Sequence, residues 1–318
     1  IYLKEIIALG TMEIHDSRIS NIQKIKRLNP GIQTVYIKPP AKRSISRIVR
    51  YADVSFNTEI RTIEWLSEEA IKQGKIHKII IMVEMGDLRE GVLGEELLDF
   101  YQRAMSLNGI SISGIGTNLN CLSGVMPNQD KLIQLSLYKL LIETKFQKTI
   151  PWVSGGTSVA IPLLLKNASP MAVNHFRVGE ALYFGKDLFT GKTMKGMHND
   201  VFKLYAEIIE ITEKPDLPIG ELGKNVAGNS FSMDDQDDLS GSSTRAILDI
   251  GLLDMQPQYL ILEDTKLKII DASSDMTVVD ISHTKKKYKV GDLISFKLDY
   301  MGALSILNSN YVDKKVED

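Results

Sequence analysis

Short apolar runs alternate with longer amphipathic stretches over residues 1–198. The run Ile79–Val83 is continuous and β-branched, which is typical of a strand buried on both faces. Most of these runs are followed by a stretch with helical spacing. The pattern predicts about seven strands, each followed by a helix or a tight turn: Thr11–His15, Thr34–Lys38, Val54–Asn57, Ile79–Val83, Ile110–Thr117, Ile150–Val153 and a run through His175.

Strands that alternate with helices indicate a parallel sheet with helical crossovers. A closed barrel of this type has eight strands. Because the chain begins inside a predicted helix, Ile1–Leu9, we expect the first strand to precede Ile1. The predicted fold is therefore α/β: a (β/α)8 TIM barrel over residues 1–198, with its first strand missing from this sequence.

The pattern changes near His198, where helical spacing gives way to alternation. Val201–Thr212 alternates like a half-exposed strand, and the polar stretch 225–243 predicts a loop. Five further strand signals follow, punctuated by glycine and aspartate: Arg245–Ile250, Tyr259–Leu262, Leu267–Ile270, Thr277–Ile281 and Leu293–Leu298. Residues 199–318 are therefore predicted to form a smaller all-β domain.

Composition excludes several classes of protein. No apolar run approaches the ~20 residues of a membrane span, and a net charge of −2 offers no attraction for nucleic acid or anionic lipid. The single cysteine, Cys121, excludes an internal disulfide, so we expect a reducing, cytoplasmic location. The five histidines include no pair at helical metal-ligand spacing, so no metal site is predicted.

Two glycine-bearing stretches follow neighbouring predicted strands. Val153–Ser158 reads Val-Ser-Gly-Gly-Thr-Ser and precedes an apolar segment with helical character, and His175–Glu180 has the same strand-then-glycine form. Glycines permit close backbone approach, and the unpaired amides at a helix start attract anions. A lone stretch of this kind is better interpreted as a helix cap, but two together fit the phosphate site that barrels build after their last strands.

Four motifs resemble one family along nearly the whole chain. They are Asp16-Ser17-Arg18, the run from Val83 to Gly91 that contains Met-Gly-Asp-Leu-Arg-Glu-Gly, Ser154–Ser158, and Phe176–Tyr183. The chain resembles the alanine racemase-type, fold-type III pyridoxal-phosphate enzymes, closest to the branch of predicted amino-acid racemases that includes ornithine racemase. The Met-Gly-Asp-Leu-Arg-Glu-Gly run is the most specific of these motifs.

The resemblance implies that the cofactor is pyridoxal 5′-phosphate. It also implies that the residues that hold this cofactor are Asn118, Ser154, Gly155, Gly156, Thr157, Arg177, Gly179, Glu180 and Tyr311. Arg177 matches the arginine that faces the pyridine nitrogen, where a permanent cation keeps that nitrogen unprotonated. Arg89 matches the arginine near the substrate carboxylate, which a guanidinium can hold in two parallel hydrogen bonds.

Each arginine has a structural alternative on the residues alone. Arg177 could form a salt bridge at a barrel mouth, and Arg89 could pair with Asp87 or Glu90. Asn118 stands where alanine racemases have a ring-contacting histidine, and it could equally be a turn residue.

The resemblance also implies a homodimer with shared active sites. The residues matched by Asp275 and Tyr311 reach across the interface, the aspartate toward substrate and the tyrosine toward phosphate. The catalytic residues that we predict are therefore Arg89, Arg177 and Asp275.

Two departures from the family pattern affect the chemistry. The family's Schiff-base lysine closes the first barrel strand, so we expect it to precede Ile1; a genuine loss of this lysine would leave only a cofactor-binding shell. Leu252 stands where alanine racemases have a catalytic tyrosine, and a leucine cannot carry a proton. Asp254 or Asp275 must then serve as the second base, or the mechanism does not use two bases.

The function implied is a racemase that removes and returns the Cα proton of an amino acid, a small-molecule substrate. One alternative is a non-catalytic pyridoxal-phosphate carrier, although such relatives usually lack the β domain. Another is aldol cleavage or decarboxylation with the same cofactor, but aldol cleavage in this fold usually recruits a metal.

Overall fold

The computed structural model describes residues 2–224 and 241–317 of the chain. These residues fall into two compact units, one made of those up to 182 together with 186–192, and the other made of 183–185 together with those from 193 onward. The division into functional domains at residue 198 stays a prediction. In the part of the chain that the structure describes, no helix combines the length and the apolar character that a membrane crossing requires.

The first unit is a nearly closed barrel of seven parallel strands, as the sequence predicts. The strands lie side by side in chain order, so each crossover returns the chain to the neighbouring position. They are β1 Glu13–Asp16, β2 Gln33–Tyr36, β3 Val54–Asn57, β4 His77–Met82, β5 Ile110–Gly116, β6 Trp152–Thr157 and β7 His175–Arg177. Because all are parallel, their carboxyl ends meet at one mouth of the barrel.

Helices surround this sheet. They are α1 Tyr2–Ala8, α2 Ile19–Leu28, α3 Ile45–Tyr51, α4 Ile60–Lys72, α5 Leu97–Met105, α6 Gln129–Phe146, α7 Ile161–Leu165 and α8 Glu180–Phe184. Asn128 caps α6, its side chain accepting a hydrogen bond from the Lys131 amide at 2.9 Å. The side chain of Glu59 caps α4 by accepting a hydrogen bond from the Arg61 amide at 3.0 Å.

The two faces of each barrel strand have different surroundings. In β4, Ile79 and Ile81 pack with the buried faces of the helices, whereas Ile80 and Met82 belong to a separate cluster with Phe56. Since neighbouring side chains of a strand point to opposite faces, this second cluster lies inside the barrel. Part of the barrel interior is therefore a packed apolar core.

The second unit is built on an antiparallel sheet. Its strands are β8 Lys203–Pro215, β9 Ser242–Leu248, β10 Ile261–Leu262, β11 Lys268–Ala272, β12 Thr277–Asp280 and β13 Leu293–Lys297, in the order β10-β13-β8-β9-β12-β11. The predicted strands are confirmed. The sequence pattern did not predict the helix α9, Tyr300–Asn308, which Asp299 caps. Most of the predicted loop 225–243 lies outside the described residues.

Candidate active site

Arg177 is the last residue of β7, and its guanidinium is buried at the carboxyl end of the barrel. Only 8% of the residue is exposed. One terminal nitrogen donates to the Ser154 hydroxyl, and the other donates to the Thr117 carbonyl at 2.9 Å and to the Asn118 side-chain oxygen. Burial lowers the Arg177 pKa to about 10, so the guanidinium still carries its charge near neutral pH.

A chain of polar contacts leads from Arg177 to the surface. The Asn118 amide donates to the Glu90 carboxylate, which in turn accepts two hydrogen bonds from Arg89, one of them at 2.7 Å. Arg89 is therefore paired with Glu90, which is one of the two ion pairs considered for it from the sequence. The Arg89 side chain is half-exposed, whereas that of Glu90 is mostly buried. Asn118 is buried between the two arginines rather than free in a turn.

Asp87 has the main structural role in the Met-Gly-Asp-Leu-Arg-Glu-Gly motif. Its buried carboxylate accepts hydrogen bonds from the backbone amides of Cys121, Leu122, Ser123 and Val125 at 2.9 to 3.4 Å. Gly91 is required because a side chain there would collide with the backbone of Glu84. The motif therefore holds the segment after β5 in place, and this segment begins at Asn118.

The first glycine stretch is organised differently from the prediction. β6 continues through Thr157, so Ser154, Gly155 and Gly156 lie within the strand rather than in a loop after it. The Ser154 hydroxyl is fully buried and contacts Arg177, and a side chain at Gly155 would collide with Val173. In this structure Ser154 and Gly155 therefore shape the strand, and Gly156 and Thr157 lie nearer the helical turn that follows.

Ser158 joins the two glycine stretches. Its hydroxyl accepts hydrogen bonds from the amides of Gly179 and Ala181, at 3.2 and 3.0 Å. The helical turn that begins at Ser158 and the helix that begins at Glu180 are therefore neighbours, as the sequence analysis expects. A side chain at Gly179 would meet open space, so the backbone there is accessible. The sequence pattern alone did not indicate this role for Ser158.

A cluster of Glu13, His15 and His175 was not predicted at all. The Glu13 carboxylate accepts from both imidazoles, with the His175 bond at 2.8 Å, and so links the first and last strands of the sheet. One acceptor atom of Glu13 and one nitrogen of each histidine lie within 4.8 Å of one another. The only signal in the sequence was the spacing of Glu13 and His15, which places both on one face of a strand.

The charges of this cluster are set by opposing effects. Burial raises the Glu13 pKa, but hydrogen bonds and attraction from the two histidines outweigh burial and hold it at about 2. Burial lowers the His15 pKa below its usual value, against the effect of Glu13. Glu13 is therefore a carboxylate and His15 is neutral at physiological pH.

In the second unit, the turn that carries Asp275 packs against the segment that carries Leu252. The amides of Leu252 and Leu253 donate to the carbonyls of Ser273 and Ser274 at 2.9 and 2.8 Å, and a side chain at Gly251 would collide with the Asp275 backbone. Asp275 is exposed and accepts from the Ser274 hydroxyl.

Two other residues of this unit bear on the predictions. Tyr311 is 94% exposed. The Asp254 carboxylate faces the Gly251 amide at 3.5 Å, so it closes its own turn.

Replacement of Asp87 by alanine should destabilise the protein and loosen the Asn118 segment. Four amides would lose a charged acceptor, which is expected to cost about 2 kcal/mol or more of unfolding free energy. Burial raises the Asp87 pKa, but the amide hydrogen bonds outweigh it and lower the pKa. This contribution should therefore be present above the ordinary aspartate pKa and lost as pH falls through the lowered one.

Denaturant unfolding of wild type and Asp87→Ala across acidic pH measures this effect. Asp99→Ala, which removes a surface carboxylate from α5, is the control. A wild-type advantage that does not shrink toward low pH would contradict this account of Asp87.

The chain resembles known proteins over most of its length. Residues 7–187 match the family described as alanine racemase, N-terminal domain. The chain is 38% identical to an ornithine racemase of Acetoanaerobium sticklandii, covering 99% of this chain and 88% of that protein. It is 30% identical to a lysine racemase of Thermotoga maritima, covering 95% and 83%.

Solved structures of low sequence identity share the fold. An alanine racemase of Clostridium difficile 630 superposes with a TM-score of 0.68 at 15% identity, covering 98% of this chain and 80% of that one. The alanine racemase of Bartonella henselae with covalently bound pyridoxal phosphate gives a TM-score of 0.64 at 20% identity, covering 89% and 75%. Together with the sequence matches, these likenesses show that the chain belongs to the alanine racemase family.

Proposed function

We propose that this protein, an amino-acid racemase by its family, binds pyridoxal 5′-phosphate at the mouth of the barrel and racemises a basic amino acid. The observation that carries the proposal is the buried Arg177 guanidinium at the end of β7, beside the helix starts at Ser158 and Glu180. A fixed cation and a cluster of backbone amides are the two features that a pyridine ring and a phosphate need.

The donors around Arg177 fit a bound ring. Its three hydrogen bonds use three of the five N–H donors of a guanidinium, so donors remain for a pyridine nitrogen. Among the described residues, four buried side-chain atoms have no hydrogen-bond partner, and two of them are the Thr117 hydroxyl and the second ring nitrogen of His15. Unpartnered buried polar atoms are costly, which supports a further polar group in this part of the barrel.

The backbone near Gly179 fits a phosphate. Its amide already contacts the Ser158 hydroxyl, and the space where a side chain would stand is open. Gly156 has a φ of +137°, a backbone conformation that favours glycine. We propose that the amides near Thr157 and Glu180, with Gly156 and Gly179, hold the phosphate. Ser154 and Gly155 would not contact the phosphate directly but would hold the strand that precedes its binding site.

Pyridoxal phosphate, when bound, makes the Cα–H bond of an attached amino acid acidic. Arg177 would hold a permanent positive charge beside the pyridine nitrogen and keep it unprotonated, which favours return of a proton to Cα over transamination. Arg89 would release its ion pair with Glu90 and bind the substrate carboxylate. Asn118 would hold the Arg177 guanidinium in the orientation that faces the pyridine ring. A second subunit's Asp275 would carry a proton on the opposite face.

The substrate, location and assembly complete the proposal. Two relatives are named for ornithine and lysine, so amino acids with a terminal amine are the first substrates to test. We propose a cytoplasmic homodimer without nucleic-acid or membrane partners. The exposure of Asp275 and Tyr311 in the second unit supports their availability to a partner subunit.

The reaction can be tested with the full-length protein and added pyridoxal phosphate. L-ornithine, L-lysine and L-alanine are incubated separately in D2O, and proton NMR and chiral chromatography follow the Cα proton and the D-enantiomer. We expect Cα exchange with accumulation of the D-form, fastest for ornithine or lysine. Cofactor binding without Cα exchange for any amino acid would favour the non-catalytic carrier, and exchange without inversion would exclude racemisation.

Arg177→Ala should change the outcome of the reaction more than cofactor retention, because the phosphate contacts survive while the ring nitrogen loses its cation. Racemisation should fall by roughly a hundredfold, as when one fixed electrostatic donor is removed, and transamination by-product should rise. Arg177→Lys, which keeps the charge without the planar fork, serves as the matched control. If Arg177→Ala simply fails to bind cofactor, measured by absorbance after gel filtration, the arginine is structural.

The shared site can be tested by complementation. Arg89→Ala and Asp275→Ala protomers, each inactive alone, are mixed under conditions that exchange subunits. If one site uses both residues from different chains, heterodimers contain one intact site and one doubly damaged site, so part of the wild-type activity should return. A two-fold dimer of this kind should bury more than ~2,000 Å2. No recovery despite proven subunit exchange would contradict the shared-site arrangement.

A further inference from the structure

Four side chains form a continuous line inside the barrel, from its first strand to Arg177. The Glu13 carboxylate contacts the Nε2 atom of His175 at 2.8 Å, and the Nδ1 atom of His175 contacts the Ser154 hydroxyl at 2.7 Å. Ser154 in turn contacts the Arg177 guanidinium. We call these four residues, Glu13, His175, Ser154 and Arg177, the interior relay.

For a neutral His175, the chemistry of the donors gives one consistent direction to each bond in the interior relay. A guanidinium has no acceptor atom, so Arg177 must donate to the Ser154 oxygen. The hydroxyl proton of Ser154 is then available for the Nδ1 atom of His175, which is an acceptor when the imidazole is neutral and its proton is on Nε2. His175 therefore carries its proton on Nε2 and donates it to Glu13, which as a carboxylate can only accept.

The surroundings leave the members of the interior relay little freedom. Ser154 has no exposed surface, and the ring of His175 is stacked on Trp152 with a centroid distance of 4.9 Å and an interplanar angle of 9°. Arg177 also lies over the Phe56 ring at 5.2 Å. Packed rings and directed hydrogen bonds together hold the Arg177 guanidinium in one orientation. Burial alone would remove water from the guanidinium without fixing its orientation.

We propose that His175 and Glu13 are positioning residues that act through Ser154 to hold the Arg177 guanidinium toward the cofactor ring. Part of this inference rests on the proposed function, since the ring is the group that Arg177 would meet. The internal hydrogen-bond arrangement does not depend on that function. The Nδ1 atom of His175 accepts the Ser154 hydroxyl proton, so that the Ser154 oxygen faces Arg177. Glu13 accepts the proton on Nε2 of His175 and thereby favours the tautomer in which Nδ1 is an acceptor.

Three variants of His175 separate its roles. His175→Leu removes both bonds. His175→Asn keeps an acceptor oxygen near the position of Nδ1 but loses the contact to Glu13. His175→Gln reaches the position of Nε2 and offers Ser154 no acceptor. His77→Leu is the matched control, because His77 is another buried barrel histidine bonded to a serine, Ser55, at 2.9 Å, and it has no contact with Arg177.

We expect His175→Leu and His175→Gln to lower the kcat for racemisation by roughly tenfold to a hundredfold, the cost of misplacing an active-site group. The substrate KM and the amount of cofactor retained should change by less than roughly threefold, because these variants leave the groups proposed to bind the substrate carboxylate and the phosphate in place. The share of transamination by-product should rise. His175→Asn should recover most of the kcat. His77→Leu should lower the unfolding temperature without altering kcat or the by-product share.

Nitrogen NMR of labelled histidine in the cofactor-free, full-length protein gives a readout that does not require activity. His175 should carry its proton on Nε2 and none on Nδ1, and Ser154→Ala should shift the Nδ1 resonance. A proton on Nδ1, or a doubly protonated ring, would overturn the interior relay. If the tautomer is as expected but wild type does not racemise, the proposed function fails while the hydrogen-bond arrangement stands.

Two results in the active enzyme would contradict the positioning role. In the first, His175→Leu behaves like His77→Leu, with a lower unfolding temperature and unchanged kcat and by-product share. In the second, the kcat of His175→Asn is as low as that of His175→Leu. This would show that an acceptor for the Ser154 hydroxyl is not what maintains kcat.

Discussion

The burial of the Arg177 guanidinium is the constraint on which the candidate site depends. A buried charge is stable only when fixed polar groups replace the water that it has lost. Here the replacements come from two neighbouring strands: the Ser154 hydroxyl within β6, and the Thr117 carbonyl with the Asn118 side chain just after β5. Parallel strands in chain order bring these groups to one end of the barrel, so the fold and the electrostatics of the site have the same origin.

The rest of the mouth maintains this arrangement. Asp87 holds the segment that begins at Asn118, and Ser158 holds the backbone of Gly179 beside the neighbouring helical turn. Substrate recognition by Arg89 would then begin from an ion pair with Glu90, so a bound carboxylate must replace an existing partner. Under the proposed function, such an exchange would make the site selective for a group that offers both oxygens in the geometry of a carboxylate.

The sequence alone predicted the order of the barrel strands well, because buried parallel strands such as Ile79–Val83 are continuous apolar runs. The roles of Ser154 and Gly155 were harder to foresee. The sequence shows hydroxyls and glycines, but not that β6 continues through them and turns the Ser154 hydroxyl toward Arg177. The contact of Glu13 with His175 joins residues from opposite ends of the barrel sequence, and no local pattern encodes it.

The most direct test of the account is a crystal structure of the full-length protein with pyridoxal phosphate bound. The account predicts that Arg177 donates a hydrogen bond to the pyridine nitrogen while it keeps its contacts with Ser154 and Asn118. The phosphate oxygens should lie within hydrogen-bond reach of the amides near Thr157 and of those at Gly179 and Glu180. A phosphate bound elsewhere, with the Arg177 guanidinium directed away from the ring, would contradict the account.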